Sequence, residues 1–285
     1  TMMDGGSAST SGGNIRYVAE QDVNLADISA RGGNLSLTAV AGSILDGGDS
    51  EIEVSADELR MSAGADIGAP EGVNGGLIEA SVSELAARAG GTNGIFLQNN
   101  HEMAVGGVDP VAINRVEGDG MTVAESDPDP LEGVTTSADG GNIVLVTGDE
   151  DLAVSESVDA GEAGDVLLNS AVGKVQLQST VGSETGSISV IARTQITQTS
   201  AADIVTGGAG TIDVEAKTGG ITMDDGAIAS VVEGNIRYIA EDDLFLGGLH
   251  APAGAVGVRS AAGGIIDGGD TAPDIIAYEL RMRAG

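Results

Sequence analysis

Short runs of alternating apolar and polar residues, each opened by glycine, recur along this chain. They read GNIRY from Gly13, GNLSL from Gly33, GNIVL from Gly141 and GDVLL from Gly164, then GSISV from Gly186, GTIDV from Gly210, GNIRY from Gly234 and GAVGV from Gly254. Alternation with a period of two predicts a strand with one buried face. A second short run usually follows inside the unit, as QDVNLAD follows NIRYVAE and KVQLQST follows DVLLNSA. The glycine, often doubled, predicts a turn conformation that a residue with a Cβ resists. From Gly164 onward the steps are 22, 24, 24 and 20 residues. No capped amphipathic helix is expected. The stretch that best fits one, Ile78–Gly90, is read as strand, because SVSEL within it also alternates.

A longer period encloses the short one. Asn14–Gly64 aligns with Asn235–Gly285 without a gap, and 24 of the 51 positions are identical. The two copies stand 221 residues apart, which signals an array architecture. Strands of about five residues recurring every 20–24 residues match the perimeter of one coil of a parallel β-helix, with coils stacking at about 4.8 Å. The predicted fold is therefore all-β, a parallel β-solenoid of about 12 coils of 20–24 residues each. Residues 1–285 are read as a single segment of a longer repeat protein, with both ends falling inside the repeat. The rhythm breaks at about 105–139, where three of the six prolines lie (Pro110, Pro128, Pro130). Proline cannot donate to a ladder, so this is an insertion. Within it, Glu125–Asp139 is expected to protrude as a loop and to be the seat of local function.

Composition narrows the picture. Hydrophobic residues make up 41% of the chain but aromatics only 2%, with no Trp. The interior is thus expected to be narrow and filled with Val, Ile, Leu and Ala. The net charge of −32, from 44 acids against 12 bases, disfavours nucleic acid and anionic membrane surfaces as partners. There is no Cys, which excludes disulfides and thiolate metal sites and suits an exported protein. No apolar run approaches the roughly 20 residues of a membrane-spanning helix.

Candidate chemistry is sparse. The repeated DGGD, Asp46–Asp49 and Asp267–Asp270, places Asp46, Asp49, Asp267 and Asp270 as oxygen ligands suited to Ca²⁺. Asp-Gly is also simply a good turn. Further acidic clusters occur at Asp149-Glu150-Asp151, Asp224-Asp225 and Asp242-Asp243. Arg16 and Arg237 occupy matching repeat positions, as do Arg60 and Arg281, and are expected to neutralise acidic neighbours in stacked coils. Catalysis is not expected. His101 and His250 do not correspond in the repeat and have no nucleophile motif beside them.

The run SADELRMSAGADIGAP…LIEASVSELAARAGGTNGIFLQNN (Ser55–Asn100), with GGNIVLVTGDEDLAV (Gly140–Val154), resembles the strand repeats of giant bacterial surface proteins, the filamentous-haemagglutinin-like adhesins. The resemblance implies a right-handed parallel β-helix, export to the cell surface or medium, and a part in adhesion, matrix or filament formation. The expected function is that of a non-enzymatic structural rod segment. Its expected partners are further copies of the repeat, end to end or side by side, and host or neighbouring-cell glycans. The alternatives are a Ca²⁺- or carbohydrate-binding module on a solenoid scaffold and, further off, a polysaccharide-degrading β-helix enzyme. The family's N-terminal secretion domain is not expected within this segment.

Overall fold

The computed structural model describes residues 6–48, 51–73, 76–137, 140–269 and 271–285. The described residues contain no helix and form a parallel β-solenoid of about 11 turns, against about 12 expected. Most turns are built from three short strands, the first being Ser7–Ser11, Ile15–Ala19 and Val23–Asn24. Outside the insertion, most strands lie in register on an equivalent in the next turn. One ladder runs from Ile143 through Val166, Ile188, Ile212, Ile236 and Val256 to Leu280, in steps of 23, 22, 24, 24, 20 and 24 residues.

Alternation along each strand fills a thin interior. In Ile188–Ala192, Ile188, Val190 and Ala192 are buried, while Ser189 and Ile191 are half-buried. Stacked aliphatics continue this core from turn to turn. One aromatic enters it. Tyr238 is fully buried and its hydroxyl donates to Gln198 Oε1 at 3.2 Å. Gln198 Nε2 donates in turn to the carbonyls of Ala202 (2.6 Å) and Ile228 (3.1 Å). A ring is tolerated there because its polar tip has a partner.

The glycines that open the runs do not all act as expected. Gly12, Gly32 and Gly140, the first of each doublet, do adopt positive φ (77°, 75° and 83°) and make the turn. The second glycine of each doublet, and the single glycines that open the later runs, do not. A Cβ on Gly164, Gly186, Gly210 or Gly234 would overlap the carbonyl oxygen of the corresponding glycine one turn earlier. These positions need glycine for close backbone approach rather than for a left-handed conformation.

The long side of the stack changes place once. In the first four turns, Ile15–Ala19, Leu35–Ala39, Glu58–Ala63 and Glu84–Ala89 form the long ladder. Glu84–Ala89 then divides, with Glu84–Leu85 pairing Ala104–Val105 and Ala87–Ala89 pairing Val134–Thr136. At the same level the two short ladders merge. Ile95 continues one through a bridge to Ile67, Leu97–Asn99 continues the other, and both run into Asn142–Thr147. The strands Ile15–Ala19 and Ile236–Ala240 are therefore near copies in sequence that stand on different ladders. The insertion leaves the stack where the first long ladder splits, between Val105 and Val134.

Candidate functional site

The insertion is a latch on the stack. At its base Gly107–Val108 pairs antiparallel with Leu131–Glu132, and beyond it Ala112–Val116 pairs with Thr122–Ser126 as a hairpin. The protruding part is thus 112–126. The expected loop Glu125–Asp139 begins at the end of that hairpin, and its residues Val134–Thr136 are back in the ladder. Between hairpin and base, Asp127 turns onto the long ladder and is only 5% exposed. Its Oδ1 accepts from Arg16 Nε at 2.8 Å. Its Oδ2 accepts from the Val111 N–H at 3.1 Å and lies 3.4 Å from Arg60 Nε. Arg60 Nη1 also donates to the Asp129 carbonyl at 2.7 Å, and Asn14 Nδ2 to the Ala112 carbonyl at 3.0 Å.

Register explains why these groups meet. Arg16, Ser36, Arg60 and Ala86 occupy one outward column of the long ladder. Ser36, between the two arginines, is fully buried beneath the insertion. Its hydroxyl faces Asp127 but closes no hydrogen bond of good geometry. Ala86 packs with Val108 and Leu131 in a small apolar cluster. Burial pushes the Asp127 carboxyl up, but the Arg16 hydrogen bond, the Ser36 hydroxyl, the Val111 N–H and Arg60 outweigh it and hold the group below the usual range. Burial lowers the Arg60 guanidinium, and Asp127 partly offsets this. So Arg16 and Arg60 do neutralise an acid, but one supplied by the insertion rather than by a stacked coil. Arg237 follows the expectation, pairing through Nε (2.7 Å) and Nη2 with Asp213 in the adjacent turn.

A second constellation forms around one of the predicted ligands. Asp46, Glu53 and Glu79 each offer a carboxylate oxygen, all within 4.8 Å of one another. Val54 pairs with Ala80, so Glu53 and Glu79 lie side by side in neighbouring turns. Asp46 is 6% exposed and Glu53 2%. Asp46 Oδ1 accepts from the Gly48 N–H at 2.9 Å, the turn its Asp-Gly sequence suggests. Asp46 Oδ2 is buried and takes no hydrogen bond. Glu53 Oε2 accepts from the Glu79 N–H at 2.8 Å. Burial, eased by that N–H and reinforced by the Glu79 and Asp46 carboxylates, pushes Glu53 up to about 9. Of the other predicted ligands, Asp267 is exposed and makes the equivalent turn, accepting from the Gly269 N–H at 2.8 Å. Asp49 and Asp270 lie outside the described residues.

Other acids from the clusters cap the neighbouring turn. Asp151 Oδ1 accepts from the Lys174 N–H (2.9 Å) and Asp243 Oδ1 from the Gly264 N–H (2.7 Å). Asp22, Asp66 and Asp165 do the same elsewhere. No family model matches this chain, and no curated protein or solved structure proves similar to it.

Proposed function

We propose that this chain is a structural rod segment of a secreted or cell-surface protein, acting in adhesion or in an extracellular fibre or matrix, and that it is not an enzyme. The supporting observation is continuity: parallel ladders carry through from Ser7 to Arg283 around one aliphatic interior. In such a stack each turn contacts only its neighbours, so length is gained without changing the core. The acidic exterior keeps rods soluble. The resemblance to filamentous-haemagglutinin-like repeats goes with this reading. Further copies of the repeat and surface glycans are the partners it implies. Antibody against the purified chain should label intact cells of the source organism or precipitate the chain from medium. Signal that appears only after lysis would contradict the proposal.

A second reading, a Ca²⁺-binding module, is favoured by the unsatisfied Asp46 Oδ2 beside Glu53 and Glu79. An all-oxygen anionic set is the donor chemistry that Ca²⁺ selects. A bound dication would remove the repulsion among the three carboxylates. Calcium at millimolar level should raise the melting midpoint, since a ligand of the folded form alone stabilises it. Asp46→Asn and Glu53→Gln should each abolish the rise. An equal rise in both variants would exclude this site.

A further inference from the structure

The repeat places a second copy of the latch's receiving column near the end of the stack. With the 221-residue offset, Arg16 corresponds to Arg237, Ser36 to Gly257 and Arg60 to Arg281. The structure stacks Arg237, Gly257 and Arg281 in one outward column, as it does their counterparts. In the first copy the column is roofed by the insertion, and Ser36 and Arg60 are buried. In the second, Arg237 and Arg281 are exposed and line a groove of about 260 Å³.

The groove is more basic than its counterpart. The next outward column carries Arg259 and Arg283 where the first copy has Thr38 and Ser62. Four of the chain's 12 basic residues thus meet on one face of a chain with net charge −32. Arg237 pairs with Asp213, whereas Arg259, Arg281 and Arg283 make no ion pair among the described residues. Room exists as well, because a Cβ on Gly257 would meet nothing within 4 Å.

We propose that this groove is a second latch site, and that it receives an acidic β-hairpin of the 107–131 kind from another copy of the 221-residue unit. The entering aspartate takes the place between Arg237 and Arg281 that Asp127 takes between Arg16 and Arg60. The extra arginines supply long-range attraction for the acidic hairpin. Nucleic acid and anionic membrane fit less well, because the rest of the surface repels phosphate. This inference does not depend on the adhesive role proposed above.

The probe is a fluorescent peptide of residues 107–132, closed by Gly107→Cys and Glu132→Cys across a pair that faces in the hairpin base. The intact chain already fills its first latch, so added peptide reports on the second. The peptide should bind, and the binding should weaken as salt rises. Arg281→Gln in the chain, or Asp127→Asn in the peptide, should weaken binding at least tenfold, while Arg88→Gln leaves it unchanged. Arg281 is exposed, so an unaltered melting midpoint certifies that this variant is folded. Absence of binding, or equal binding by the Arg281→Gln chain or the Asp127→Asn peptide, overturns the proposal.

Discussion

Gly234 has no side chain because the carbonyl oxygen of Gly210 occupies the space its Cβ would need. Alanine there must push two turns apart, which costs about 2 kcal/mol or more by analogy with overpacked cores. Gly257, in the strand of the next turn, faces open space, so Gly257→Ala should stay within about 0.5 kcal/mol of the parent. Urea unfolding of the two variants checks both. Glu53 supplies a pH test. Its folded-state value, near 9, lies above the ordinary 4.5, so the folded chain holds a proton that the unfolded chain releases. Its contribution to stability is complete below about pH 4.5, declines as pH rises, and levels off above about 9. In EDTA, Glu53→Gln should flatten the fall in melting midpoint over that window, and a parallel fall in parent and variant would count against the buried carboxyl. The sequence marks Asp46 through its Asp-Gly turn, but its companions lie 7 and 33 residues on, and only the pairing of neighbouring turns brings Glu53 and Glu79 to it. The same limit applies to the doubled glycines. Their presence is readable, whereas the division of labour between turn and close contact needs the stack.

The hairpin is an element whose one buried carboxylate, Asp127, joins it to Arg16 and Arg60 of the ladder. Asp127→Asn leaves Arg16 and Arg60 without their counter-ion, a loss on the order of 1–3 kcal/mol. Rehydration of the arginines limits that cost by letting the hairpin lift off, so the effect should be local. Protease cleavage within 107–131 should accelerate about tenfold or more, with little change in the unfolding of the solenoid. Acid should do likewise. The Asp127 value lies below that of the unfolded chain, so its stabilisation is present above about pH 4 and is lost as pH falls through the depressed folded value. Hydrogen exchange in 107–131 that stays slow in Asp127→Asn would contradict the latch. Prolines 110, 128 and 130 mark the insertion in the sequence, and the broken rhythm brackets it. Its docking is hidden because Asp127 is one of 44 acids and its partners lie 111 and 67 residues away. The small outward residues Ser36 and Ala86 are the only local hint that this face is covered.

At the scale of the molecule, period-two alternation and the 20–24-residue spacing carry the fold, because a parallel solenoid writes each turn as a near copy of the last. What they do not carry is the exchange of long and short sides at residues 84–99, which puts the two copies of the repeat on different ladders. Strand lengths adjust there by splitting and merging, and no single residue announces it. The central claim is that residues one turn apart lie directly above one another. The chain contains no cysteine, so pairs can be introduced without background. Leu167 pairs with Ser189, and Ser189 with Asp213. Neighbouring strands stand about 4.8 Å apart, within disulfide reach, and alternate strands about twice that, beyond it. Under mild oxidation, Leu167→Cys with Ser189→Cys should cross-link within the monomer, and Leu167→Cys with Asp213→Cys should not. Cross-linking of the second pair in preference to the first would contradict the coil stack.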